Sequence, residues 1–88
     1  MFEFDPAKSA ANLEKHGLDF EEAQAVWSDP RCLEVPARTR GEARWVLIGR
    51  IGARHWTVVF TRRDDRLRLI SARRARKEEV ARYEEGFR

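Results

Sequence analysis

His55-Trp56-Thr57-Val58-Val59-Phe60-Thr61-Arg62 is the stretch that decides the fold. Its side chains alternate with a period of two. Trp56, Val58 and Phe60 share one face, and His55, Thr57, Val59, Thr61 and Arg63 share the other. That pattern predicts a strand with one apolar face, which needs neighbouring strands and a covering layer. Asp64-Asp65 follows as a turn, and Leu67 to Ala72 reads as the next strand. Its centre, Leu69-Ile70, is apolar on both faces, so it is expected inside the sheet. On the other side, Arg44 to Ile51 is a mostly apolar strand that ends at the Gly49–Gly52 turn region, and Cys32 to Val35 can form another. Pro36 to Gly41 reads as a polar loop. Short turns between these strands predict an antiparallel meander.

The flanks read as helices. Asp5 is placed to cap a helix with Pro6 at its first position, where no amide donor is missed. It runs to His16 and ends at Gly17, with Lys15 and His16 in the last turn complementing the dipole. Asp19 and Glu22 form a capping-box pattern for a second helix, which carries Phe20, Ala23 and Trp27 and stops at Asp29-Pro30. Two antiparallel helices joined by a glycine turn are expected. A polar helical segment from Arg74 to Glu85 closes the chain, with Val80, Tyr83 and Phe87 as its apolar contacts. The N-terminal Phe2-Glu3-Phe4 is a short strand. The order is β-α-α-β-β-β-β-α. The fold class is α+β: an N-terminal strand and helical hairpin packed on an antiparallel sheet of about four strands, with a C-terminal helix.

At 88 residues the chain makes one domain, 1–88, with no repeat or linker. Such a domain buries only about 60–65% of its unfolded surface. With 42% apolar and 38% charged residues it is too apolar for disorder and very charged for an ordinary domain. The longest apolar run, Trp45 to Gly49, is far too short to span a bilayer. No basic, apolar leader opens the chain, so a cytoplasmic location is expected. The lone Cys32 cannot form an internal disulfide and reads as a small packing residue. His16, His55 and Cys32 match no metal-ligand spacing, and no cofactor is expected.

The net charge of +3 is unevenly spread. Residues 1–53 carry 7 Lys/Arg against 9 Asp/Glu, and residues 54–88 carry 11 against 6. A concentrated positive field attracts polyanions. DNA reading by the helical hairpin is electrostatically wrong, because the second helix carries Glu21 and Glu22 and no Lys or Arg before Asp29. RNA fits better. Arg62, Arg63, Arg68, Arg73 and Arg74 lie on neighbouring strands or at their ends and can grip phosphate oxygens. Trp45, Trp56 and Phe60 divide between packing and base stacking. Metal-free RNA cleavage needs a proton acceptor for the 2′-hydroxyl, charge stabilisation at phosphorus and a proton donor for the leaving oxygen. Arginines supply the second role. For the others His16, His55, Lys8, Lys15, Glu79 and Tyr83 are available. Glu79 and Tyr83 share a helix face, although Glu79 also suits pairing with Arg73 or Arg74. Asp5, Asp64 and Asp65 read as cap and turn residues.

These residues also carry a resemblance. Phe4-Asp5 with Lys8, Asn12 and Lys15-His16-Gly17; Phe20 with Ala23 and Asp29-Pro30; Glu42 with Arg44 and Gly49; Val59-Phe60-Thr61 with Arg63; and Ile70-Ser71-Ala72-Arg73-Arg74-Ala75 with Glu79 and Tyr83 together resemble the BrnT family of toxins from type II toxin–antitoxin systems. The family often has Trp where this chain has Phe4, and Thr or Ser where it has Arg76. The resemblance implies a RelE-like ribonuclease fold, RNA cleavage and translation arrest. It also implies neutralisation by a BrnA-type antitoxin whose DNA-binding domain brings the hetero-oligomer to its operator. Lys15, His16, Arg63, Arg73, Glu79 and Tyr83 are the expected catalytic residues, and Lys8, Arg62, Arg68 and Arg74 the expected RNA-binding ones. The expected chemistry is attack by the 2′-hydroxyl to leave a 2′,3′-cyclic phosphate. The competing reading is a non-enzymatic RNA-binding or operon-regulating module.

Overall fold

The computed structural model describes residues 1–38 and 40–86. The elements are β1 (Phe2–Glu3), α1 (Pro6–His16), α2 (Phe20–Ala23) with a 3-10 turn (Gln24–Ser28), β2 (Leu33–Ala37), β3 (Arg44–Ile51), β4 (Arg54–Arg63), β5 (Arg66–Arg74) and α3 (Lys77–Glu85). Five strands form one sheet in the order β1-β5-β4-β3-β2. The expected sheet of about four antiparallel strands is corrected here. The N-terminal strand does not pack on the sheet but joins its edge, parallel to β5, with Phe2 opposite Leu67 and Glu3 opposite Arg68.

The meander itself is as expected. Two-residue loops join β3 to β4 and β4 to β5, and the first loop residue in each, Gly52 and Asp64, has a positive φ of 61° and 54°. That backbone twist matches the flanking strands, and aspartate is one of the few side chains that tolerates it. Two boundaries move. β2 continues through Pro36 and Ala37, opposite Trp45 and Arg44. Proline is tolerated there because β2 is an edge strand. β5 continues to Arg74, opposite Trp56, and the Ala75 N–H donates to the His55 carbonyl at 3.0 Å. The last helix therefore starts at Lys77 rather than Arg74. A bulge between Val59 and Phe60 makes Ser71 and Leu69 their successive partners. Ile70 is the extra residue, which explains why the apolar centre of β5 defied alternation.

Leu47, Trp56, Val58, Phe60, Leu69 and Ala72 lie on one face of the sheet and meet Leu18, Phe20, Ala23 and Val26 from the helical layer. Asp5 caps α1 and Gly17 ends it with φ 81°. Asp19 and Glu22 close the capping box of α2, with bonds of 2.7 and 3.0 Å. The second helix is shorter than expected: after four residues it tightens into the 3-10 turn. That turn lies so close to β3 that a Cβ on Gly49 would stand 2.8 Å from Val26 Cγ1. The opposite face carries α3, whose buried Tyr83 faces His55 of β4. Phe87, an expected contact of this helix, lies outside the described residues. Among the described residues no helix is long and apolar enough to cross a membrane.

Candidate functional site

Register decides where the arginines point. Arg63 is opposite Arg66, Thr61 opposite Arg68 and Thr57 opposite Arg73, so these four arginines share the face that α3 only partly covers. Arg62 and Arg74, grouped with Arg63, Arg68 and Arg73 in sequence as phosphate ligands, project instead from the helix-covered face. The Arg62 guanidinium lies 4.5 Å from the centre of the Trp45 ring, and that of Arg74 lies 5.7 Å from Trp56. The aromatics are largely committed to packing. Trp56 and Phe60 are core residues, and half-buried Trp45 stacks on Phe60. Base stacking by Trp56 and Phe60 is therefore excluded by burial.

Most of these arginines meet a carboxylate within the chain. Arg62 reaches Glu34 at 2.7 Å and Arg63 reaches Glu42 at 3.1 Å. Arg66 and Arg68 share Glu3 at 3.4 and 3.0 Å. Such pairs contribute little at a solvent-screened surface, so a polyanion can displace them.

The Arg73 pair is different. Both terminal guanidinium nitrogens donate to Glu79, at 2.7 and 2.9 Å. The Arg76 N–H and the buried Thr57 hydroxyl donate to the same carboxylate at 2.7 and 3.0 Å. Burial pushes the Glu79 pKa up, but the donors from Arg73, Arg76 and Thr57 outweigh it and leave the value at about 2. Glu79 is thus an anion with its oxygens engaged, built to orient Arg73 and pin α3. One turn on, the Tyr83 hydroxyl donates to Asp29 Oδ2 at 2.7 Å. Burial and then the Asp29 carboxylate push the phenol up to about 12. Asp29 also accepts the N–H groups of Arg31 and Arg50, at 2.9 and 2.8 Å. Burial opposes its ionisation, but these donors hold its carboxyl below the ordinary aspartate value.

The α1 candidates stand apart. Asn12 accepts the Ala72 N–H at 3.2 Å and donates to the Ala72 carbonyl at 2.8 Å, which ties α1 to β5 past the end of β1. Lys8 and Lys15 on this helix are exposed and His16 is half-buried. Among the described residues no hydrogen bond or ion pair joins them to the arginine-bearing face. His55 lies elsewhere, with its ring edge-on to Tyr83 at 5.1 Å and its buried Nε2 at 3.5 Å from Glu84, too far for a good hydrogen bond. Cys32 is a half-buried free thiol raised in pKa by burial and by Asp29. No three metal-ligating side chains come together among the described residues.

Sequence reasoning missed a cleft of about 380 Å³, lined by Ser28, Asp29, Arg31, Arg50, Gly52 and Tyr83 among others. Its polar groups come from the turn after the 3-10 segment, from β3 and from α3. Asp29 and Tyr83 are 54 residues apart, and no local pattern couples them. Asp29 reads in sequence as a helix stop and nothing more.

The family model that describes the ribonuclease toxin BrnT of type II toxin–antitoxin systems matches residues 4–79. The chain belongs to the BrnT family. The match takes in α1, the whole meander and the Arg73–Glu79 clamp, and stops just short of Tyr83. A comparison with curated proteins finds no match. BrnT membership makes the chain a ribonuclease toxin by family, with RNA as the implied substrate and an antitoxin as the implied partner.

Proposed function

We propose that this BrnT chain is a metal-independent, RelE-like endoribonuclease that arrests translation and is neutralised by a BrnA-type antitoxin laid over its cationic face. The observation that carries the reading is the register that sets Arg63, Arg66, Arg68 and Arg73 on one sheet face. Guanidinium groups in that array bind phosphodiester oxygens and stabilise the charge that builds on phosphorus during attack by the 2′-hydroxyl. The products are a 2′,3′-cyclic phosphate and a free 5′-hydroxyl. Arg73 is the central phosphate ligand, held in place by Glu79. Tyr83 supports the same helix through Asp29. Of the candidates for proton transfer, Glu79 is too acidic and too fully bonded, and the Tyr83 hydroxyl is bound to Asp29. The role passes to His16 or Lys15 at the end of α1. Arg62 and Arg74, with Lys8, extend the positive field around the edge of the sheet and steer RNA towards the site.

The test is purified chain incubated with total RNA, with product ends mapped. EDTA is expected to leave the yield of cyclic-phosphate ends unchanged, and strict dependence on added Mg²⁺ would refute the mechanism. Arg63→Ala, which removes only an exposed ion pair, is expected to lower cleavage at least about tenfold with the fold intact. Arg73→Ala also releases Glu79, so its effect mixes chemistry with stability.

A non-enzymatic RNA-binding module is the second reading. It draws on one observation, that among the described residues no hydrogen bond or ion pair joins a proton-transfer candidate to Arg63, Arg66 or Arg68. RNA bound without new ends would favour it.

A further inference from the structure

We propose that the cleft between the 3-10 turn, β3 and α3 is a subsite for a backbone phosphate of single-stranded RNA, flanking the nucleotide that is cut, with Arg31 and Arg50 as its ligands. This rests on the nuclease reading above and extends it to the end of the sheet where β3 meets the 3-10 turn.

Four observations carry it. The cleft, about 380 Å³, falls within the range that small ligands fill, roughly 300–1,000 Å³. Two guanidinium-bearing residues line it from separate elements, Arg31 from the turn and Arg50 from β3. Arg31 lies 5.8 Å from the centre of the Tyr83 ring. Unlike Arg62, Arg63, Arg66, Arg68 and Arg73, Arg50 has no carboxylate in ion-pair contact among the described residues. The one acid in the cleft, Asp29, is already met by the Tyr83 hydroxyl and by the N–H groups of Arg31 and Arg50, which lessens its repulsion of an incoming anion. The rim is also open, since Gly52 presents no side chain there.

The cleft is positioned for a flanking contact rather than for the scissile group. Arg50 is opposite His55, on the same sheet face as Arg63. Arg73, the central phosphate ligand, is opposite Thr57, two positions along β4 from His55, and β5 lies two strands from β3, so Arg50 and Arg73 are roughly 12 Å apart at about 3.4 Å per residue and about 4.8 Å per strand. A phosphate in the cleft is therefore a near neighbour of the one that Arg73 holds, and a dinucleotide, with its single internal phosphate, does not reach both. The subsite therefore contributes to affinity for long RNA and leaves a dinucleotide unaffected.

The experiment uses the full chain and a fluorescent 2′-O-methyl octauridylate, which lacks the attacking hydroxyl and cannot be cut by this route. Arg31→Ala and Arg50→Ala are each expected to weaken binding about 5-fold and the double variant more than 10-fold, with a shallower salt dependence. The charge-matched Arg38→Ala should stay within about twofold of the wild type. Circular dichroism checks the fold, and Arg50→Gln, which keeps most of the stem, repeats the test with less loss of packing. Cleavage of natural RNA is measured in parallel. If the wild type cuts RNA while the cleft variants bind like Arg38→Ala, the subsite is wrong and the nuclease reading stands. If the wild type neither binds nor cuts RNA, the nuclease reading fails and the subsite goes with it.

Discussion

Glu79 is the residue on which the open face turns. Four donors, from β4, β5 and the connection before α3, converge on one carboxylate, and only an ionised group can satisfy them all. Its folded pKa lies below the ordinary glutamate value, so its stabilisation is complete above about pH 4.5 and is lost as pH falls towards about 2. Glu79→Gln is expected to cost about 2–3 kcal/mol at pH 7 and far less at pH 3, measured by urea unfolding at both values. An equal cost at the two pH values would show that the charge is not what matters. The Arg73–Glu79 pairing was foreseeable from spacing, because both residues flank a short connection. The Thr57 hydroxyl was not, because it joins the cluster only once the β4–β5 register is known.

Among the elements, α1 and the 3-10 turn do most to fix the sheet. Asn12 acts as a strand would, matching both backbone groups of Ala72, and it also donates to the Leu18 carbonyl at 2.6 Å. Asn12→Ala leaves these buried backbone groups unmet and is expected to cost about 2–4 kcal/mol in chemical denaturation. A cost under ~1 kcal/mol would mean that water replaces the amide. Gly49→Ala places a methyl 2.8 Å from Val26 Cγ1 and 3.2 Å from Cys32 Cβ. Overpacking of that kind costs about 1–3 kcal/mol, and a rise in melting temperature would contradict the close approach. The helix caps, the three meander strands and the C-terminal helix were legible because each has a local signature. The N-terminal strand was legible too, but its place in the sheet was not: Phe2-Glu3 is too short to show a partner or a direction. Pro36 argued for a loop, and only its edge position reconciles it with pairing. Ile70 concealed a bulge that no period-two reading anticipates.

The whole molecule carries its charge on two faces. The open face holds Arg63, Arg66, Arg68 and Arg73, and the helix-covered face presents Arg62 and Arg74 at its rim. The sequence disclosed the excess of positive charge but not this division, which depends on side-chain direction along each strand. If the open face engages four phosphates of single-stranded RNA, affinity should fall roughly 50-fold between 50 and 200 mM salt, at a slope of about −0.7 per phosphate. Fluorescence anisotropy of the uncleavable oligonucleotide measures this, and a flat salt response would deny the array its role.

The parallel pairing of β1 with β5 also bears on how the molecule is made. The Leu67 N–H donates to the Met1 carbonyl at 2.8 Å, and Glu3 faces Arg66 and Arg68. A ribosome adding about 5–20 residues per second needs roughly 3–13 s to travel from Phe2 to Leu67. Throughout that interval the earliest-made strand waits for its neighbour. The finished sheet therefore forms only after β5 has been made, and a binder that recognises the completed surface cannot meet it before then.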